Sequence, residues 1–113
     1  MDHDDSSSNI NASVVREHLN ERLGAGRTPG EAAGEILFAH DKQLALGALS
    51  KRSREEIDEI VDQWLTESSD PDTVAMDRQV AGAYSRFLAE RVTLDPSSDP
   101  LGQLDAAWRA WRS

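Results

Sequence analysis

No cysteine occurs among the 113 residues. Disulfides, thiolate nucleophiles and cysteine-bearing zinc sites are therefore excluded. No apolar run approaches the ~20 residues that a membrane-spanning helix needs. The N-terminus also lacks the basic-then-apolar order of a signal peptide. The expected location is cytoplasmic, either in the protein's own cell or in a host cell.

Positive charge is scarce as well. Acidic residues outnumber Lys and Arg 21 to 12, giving a formal net charge of −9 and a pI near 4.6. A nucleic-acid binder needs a cationic face to release counterions from phosphates. An anionic membrane repels such a chain for the same reason. Neither is an expected partner, whereas a protein with a basic surface would be attracted. Solubility, or a high-salt cytoplasm, accounts for the acidity equally well.

Large apolar side chains are also few. Leu, Ile, Val and Phe together make 23 of the 113 residues, close to the level at which chains stop folding unaided. The length allows one domain and one core. Either the three Trp carry much of that core, or a partner or second copy, as in a homodimer, completes it.

Strand signals are missing: there is no sustained alternation, no Asn-Gly or Asp-Gly hairpin turn and no internal repeat. What remains is helical. The fold expected is all-α, a compact bundle of five or six short helices. Residues 1–11 form a disordered acidic tail, and residues 12–113 form a single helical domain.

Local punctuation places the helices. Asn11 caps a helix through Leu23, with Val15, Leu19 and Leu23 on one face and Gly24 and Gly26 closing it. Thr28-Pro29-Gly30-Glu31 combines an N-cap, a proline at the first helical position and the glutamate of a capping box. From there to residue 50, one helix or two fit the spacing equally. Ser53-Arg54-Glu55-Glu56 reads as a second capping box. It leads into the stripe Ile57, Ile60, Val61, Trp64 and Leu65. Asp70-Pro71 and Asp99-Pro100 each read as an N-cap followed by a first-turn proline. The first leads to an apolar face of Val80, Ala83, Tyr84, Phe87 and Leu88, extended upstream by Val74 and Met76. The second leads to Leu101, Leu104, Trp108 and Trp111. Residues 95–100 between them form a loop.

Chemistry-bearing motifs are sparse. H-E-x-x-H, G-x-S-x-G, Ser-x-x-Lys and phosphate-binding glycine loops do not occur. His18 reads as a surface residue and His40 as a core-edge residue. His3 behind a free amino terminus has the geometry for Cu(II) or Ni(II), but the triplet is common in acidic tails. The carboxylate pairs Glu31/Glu35, Glu55/Glu59 and Asp58/Asp62 sit opposite the apolar stripes and read as solvated faces. No metal, no cofactor and no catalytic activity are expected.

Two features stand out. Glu55, Glu56, Asp58, Glu59 and Asp62 form an acidic ridge with no counterion evident nearby in the sequence. Trp108 and Trp111, interleaved with Arg109 and Arg112, need a dock, on this chain's own core or on another chain. The expected function is a non-catalytic protein-binding module whose ridge engages a basic partner. It would act as an inhibitor or adaptor of the type found in phages and mobile elements, on a target such as a nucleic-acid-handling enzyme. The alternatives are a helix-turn-helix DNA-binding regulator drawn from Thr28–Leu49, which would present the acidic ridge to DNA, and a helical accessory subunit of a larger complex.

Overall fold

A computed structural model describes residues 11–92 and 100–113, the side chains of residues 100 and 101 excepted. The expected tail, the His3 triplet, the loop at residues 95–99 and the side chain of Leu101 lie outside the described residues. Among those described there are five helices and no strand: α1 (Ala12–Gly24), α2 (Pro29–Ala45), α3 (Lys51–Ser68), α4 (Val74–Arg91) and α5 (Pro100–Arg112). None is long and apolar enough to cross a membrane.

The first two helices start as the sequence indicates. The Asn11 side chain accepts from the Ser13 amide, and Gly26 turns the chain after α1 with φ of 101°. Thr28 and Glu31 make the full reciprocal capping box. α2 then runs unbroken past Asp41, and Gly47 (φ 78°) follows its end. One helix, not two, occupies this segment.

Two helix starts differ from expectation. α3 begins a turn before the Ser53 box: Ser50 is the cap, accepting from the Ser53 amide at 3.1 Å. Ser50 stands three residues before Ser53, so the same hydroxyl chemistry was available one turn earlier. Asp70-Pro71 does not open α4. The Asp70 carbonyl accepts from the amides of Thr73 and Val74, both at 3.0 Å, making a turn first. Ser69 Oγ donates to Asp77 in the first turn of α4, joining the end of α3 to the start of the next helix. Met76, placed on the apolar face by the spacing, is exposed.

α2 is the central helix. Residues 30–36 and Phe38 are all buried. Ala32, Ala33 and Ile36 face a cluster with Val15 and Leu19 of α1, Ile57, Val61, Trp64 and Leu65 of α3, and Ala81 of α4. Phe38 belongs to a second cluster with Tyr84, Leu88 and Val92, and with Leu104 and Ala107 of α5; Trp111 packs against it. The single core expected from length is therefore two clusters sharing α2. The first half of α2 is surrounded on every side, which explains its run of Gly and Ala, whereas Asp41, Gln43 and Ala45 farther along are exposed.

The glycines permit the approach of α4. A Cβ on Gly34 would lie 2.9 Å from Tyr84 Cδ2 and 3.0 Å from the Ala81 carbonyl oxygen. One on Gly30 would lie 2.9 Å from the Asp77 carbonyl oxygen. Gly34→Ala is expected to destabilise by about 1–3 kcal/mol through overpacking, lowering the melting midpoint by several degrees. Gly24→Ala, with nothing within 4 Å, is expected to be neutral or stabilising by up to about 1 kcal/mol. Equal melting curves for the two variants would contradict the close packing described.

Candidate functional site

The densest polar constellation surrounds Glu35. Its side chain is 1% exposed, as part of the face of α2 that also carries Glu31 and Phe38. Burying a carboxylate is costly unless donors replace its water. Arg27 Nε donates to Glu35 Oε2 at 2.9 Å, and the Tyr84 hydroxyl donates to the same oxygen at 2.9 Å. Arg22 Nη1 approaches Oε1 at 3.5 Å. Arg27, itself buried, also donates from Nη2 to Asp105 Oδ1 of α5 at 2.7 Å and stacks on Trp108, with Cζ 4.3 Å from the ring centroid.

Glu31 repeats the pattern one turn earlier. Its Oε1 accepts from the Thr28 amide and from Trp108 Nε1, both at 3.0 Å. Glu31 and Glu35 are thus inside the protein, contrary to the solvated face expected from the sequence. The reason is that α2 is covered on the side opposite α1 and α3, by α4 and α5.

The tryptophans dock on this chain's own fold. Trp108 closes over the turn, its Cη2 3.4 Å from where a Gly26 Cβ would lie. Trp111 packs against Tyr84 and Phe87, with ring centroids 5.0 and 5.2 Å apart. Both remain half-buried.

Glu35 is held by donors from Arg27 and Tyr84. Burial, reinforced by the Glu35 charge, raises the Tyr84 phenol far above its ordinary range, so the hydroxyl stays protonated. The Arg27 guanidinium is disfavoured by burial, but its bonds to Asp105 and Glu35 outweigh that and raise it further. Neither Tyr84 nor Arg27 is poised to exchange a proton near neutrality. Glu35 and Arg22 also line a cleft of about 260 Å³ between α1, α2 and α5, which brings His18 and His40 to one place. Among the described residues no three His, Asp or Glu side chains gather as metal ligands would.

His40 is half-buried, and its Nδ1 lies 2.8 Å from the Ile36 carbonyl, to which it donates. Burial lowers its pKa; the Ile36 bond opposes this, Arg54 and His18 add to the lowering, and Asp41 raises it.

The acidic ridge lies along the outer face of α3. Glu55, Asp58, Glu59 and Asp62 are exposed, and Glu56 is half-buried. Its counterions come from α3 itself and from α4. Arg54 binds Asp41 at 2.7 Å and Asp58 at 2.9 Å, and Arg78 of α4 binds Asp62. Farther along, Arg16 of α1 holds Glu67 at 2.8 Å. Glu55 and Glu59 have no ion pair among the described residues. With Arg52, Glu56 and Ile60 they line an open depression. The chain matches no known protein family, no curated protein and no solved structure.

Two outcomes follow from the buried groups. Tyr84→Phe is expected to cost about 1–3 kcal/mol in urea unfolding, since a donor to a buried carboxylate is lost. Glu35→Ala should cost about 3–5 kcal/mol by stranding Arg27. Costs near zero for both would place the carboxylate in water. For His40, a lowered folded pKa means the unfolded chain binds more protons below about pH 6.5. Its stabilising contribution is therefore complete above that pH and fades as pH falls through the folded value. His40→Gln should flatten the decline of the urea midpoint between about pH 7 and 5; an unchanged slope would contradict the assignment.

Proposed function

We propose that this protein is a non-catalytic binding module that docks the outer face of α3 on a basic surface of a partner protein, as an inhibitor or adaptor. One observation carries the reading. Glu55 and Glu59 stand exposed one turn apart on α3 with Arg52 nearby but no ion pair among the described residues, while Asp58, Asp62 and Glu67 each have one. Two like charges at this spacing cost the isolated helix a few tenths of a kcal/mol. Cations supplied by a partner would reverse that sign.

The presentation supports the reading. Ile57, Val61, Trp64 and Leu65 fix the inner face of the helix in the core, so the ridge is held on a rigid element and docking loses little conformational entropy. Trp64 adds a bond from Nε1 to Asn20 Oδ1 of α1 at 3.1 Å. The net charge of −9 extends the attraction to long range, which raises association rates with cationic surfaces. A DNA- or RNA-binding groove on an enzyme is one such surface, and an acidic helix laid into it would compete with phosphate.

The test is affinity capture with three baits: wild type, Glu55→Lys/Glu59→Lys, and Glu17→Lys/Glu21→Lys as a charge-matched control on α1. The first and third are expected to retain the same partner at about 50 mM salt. The second should bind it at least about tenfold more weakly, and binding should weaken as salt screens the charges. Equal binding by all three baits, or binding indifferent to salt, would remove this reading.

A further inference from the structure

Beside the acidic ridge, α2, α3 and α4 enclose a cleft of about 250 Å³. Its floor is apolar: Leu37 of α2, Val61 and Leu65 of α3, and Ala81 of α4. Its rim is charged: Asp58 and Asp62 from α3 and Arg78 from α4. The volume falls below the range usual for small-molecule pockets. It suits a single aliphatic side chain, the kind of anchor that concentrates binding energy in protein interfaces.

The charge around the cleft says what should flank that anchor. Among the described residues, Asp41, Asp58 and Asp62 pair with Arg54 and Arg78, while Glu55 and Glu59 make no ion pair and share a depression with Arg52. Arg54 is shared between two carboxylates, so one of these remains under-neutralised. Arg78 spans from α4 to α3, donating from Nε to Asp62 and from Nη2 to Thr66 Oγ1 at 3.1 Å. Both members of the Arg78–Asp62 pair are about half exposed, and such a pair contributes little to stability. An arriving guanidinium can take the place of Arg78 on Asp62 at small cost.

We infer that the cleft between α3 and α4 receives an aliphatic side chain of the partner that is flanked by arginine or lysine, with the flanking cations seated on Asp58, Asp62, Glu55 and Glu59. This rests on α3 being the docking face, and it names the kind of segment that face takes. The apolar floor supplies the preference for the anchor; the rim excludes acidic neighbours.

The test titrates the full chain, methyl-labelled, at about 50 mM salt with two blocked peptides: a leucine flanked on both sides by arginines, and the same peptide with alanine in place of leucine. The leucine peptide is expected to shift the methyl resonances of Leu37, Val61 and Leu65 and to bind at least about tenfold more tightly than the alanine peptide. Asp58→Asn/Asp62→Asn, both at exposed sites, should weaken it at least about threefold. Equal binding of the two peptides, with shifts confined to the methyls of Ile60 beside Glu55 and Glu59, would overturn the cleft while leaving the docking face intact. Shifts of the cleft methyls, together with capture unaffected by Glu55→Lys/Glu59→Lys, would support the cleft and remove the ridge. No binding of either peptide would overturn the cleft proposal.

Discussion

The fold depends on a carboxylate kept out of water. Glu35 draws Arg27 from the turn between α1 and α2, and Tyr84 from α4, to one oxygen atom. Arg27 then reaches on to Asp105, which fixes α5. Four parts of the chain are joined through a few side chains. A buried pair of this kind is not a strong source of net stability, because desolvation offsets most of the attraction. Its effect is on uniqueness: other packings of α4 or α5 on α2 would leave a buried ion without its partner. Glu31 couples local to tertiary structure in the same way, since one oxygen caps α2 and accepts from Trp108.

This constraint suits a chain poor in large aliphatics. Gly30, Ala32, Ala33 and Gly34 bring neighbours close to α2 without filling space. Volume is restored by a few large rings. Trp64 closes the cluster between α1 and α3, while Tyr84, Phe38 and the half-buried tryptophans of α5 build the other. Edge-on and tilted contacts among Tyr84, Phe87 and Trp111 add to the burial.

The all-helical architecture was legible because its signals are local. The Asn11 cap, the Thr28 capping box, the Ile57–Leu65 stripe and the Pro100 start each depend on residues within a turn or two of one another. The site was less legible, since its partners are far apart in sequence. Tyr84 lies 49 residues from Glu35, and Trp108 lies 77 from Glu31. A period-based reading assigns a glutamate opposite an apolar stripe to solvent; it fails where a helix is covered all round. The clue that was present is the small-residue run at 30–34, which marks a crowded helix. Likewise Arg78 lies 16 residues from Asp62, a pairing that spacing along one helix does not show. At Asp70-Pro71 a cap-like dipeptide served a turn instead, its carbonyl accepting from the amides of Thr73 and Val74.

Interior and exterior acids thus have separate roles. Glu31 and Glu35 lie inside the bundle, while Glu55 and Glu59 stay on the outer face of α3. The central claim is that Arg27 and Tyr84 act through one shared carboxylate. A double-mutant cycle of Arg27→Met and Tyr84→Phe, read by urea unfolding, tests it most directly. Non-additivity of at least about 0.5 kcal/mol is predicted. Strict additivity would mean that the two donors serve separate interactions, and that Glu35 does not join them.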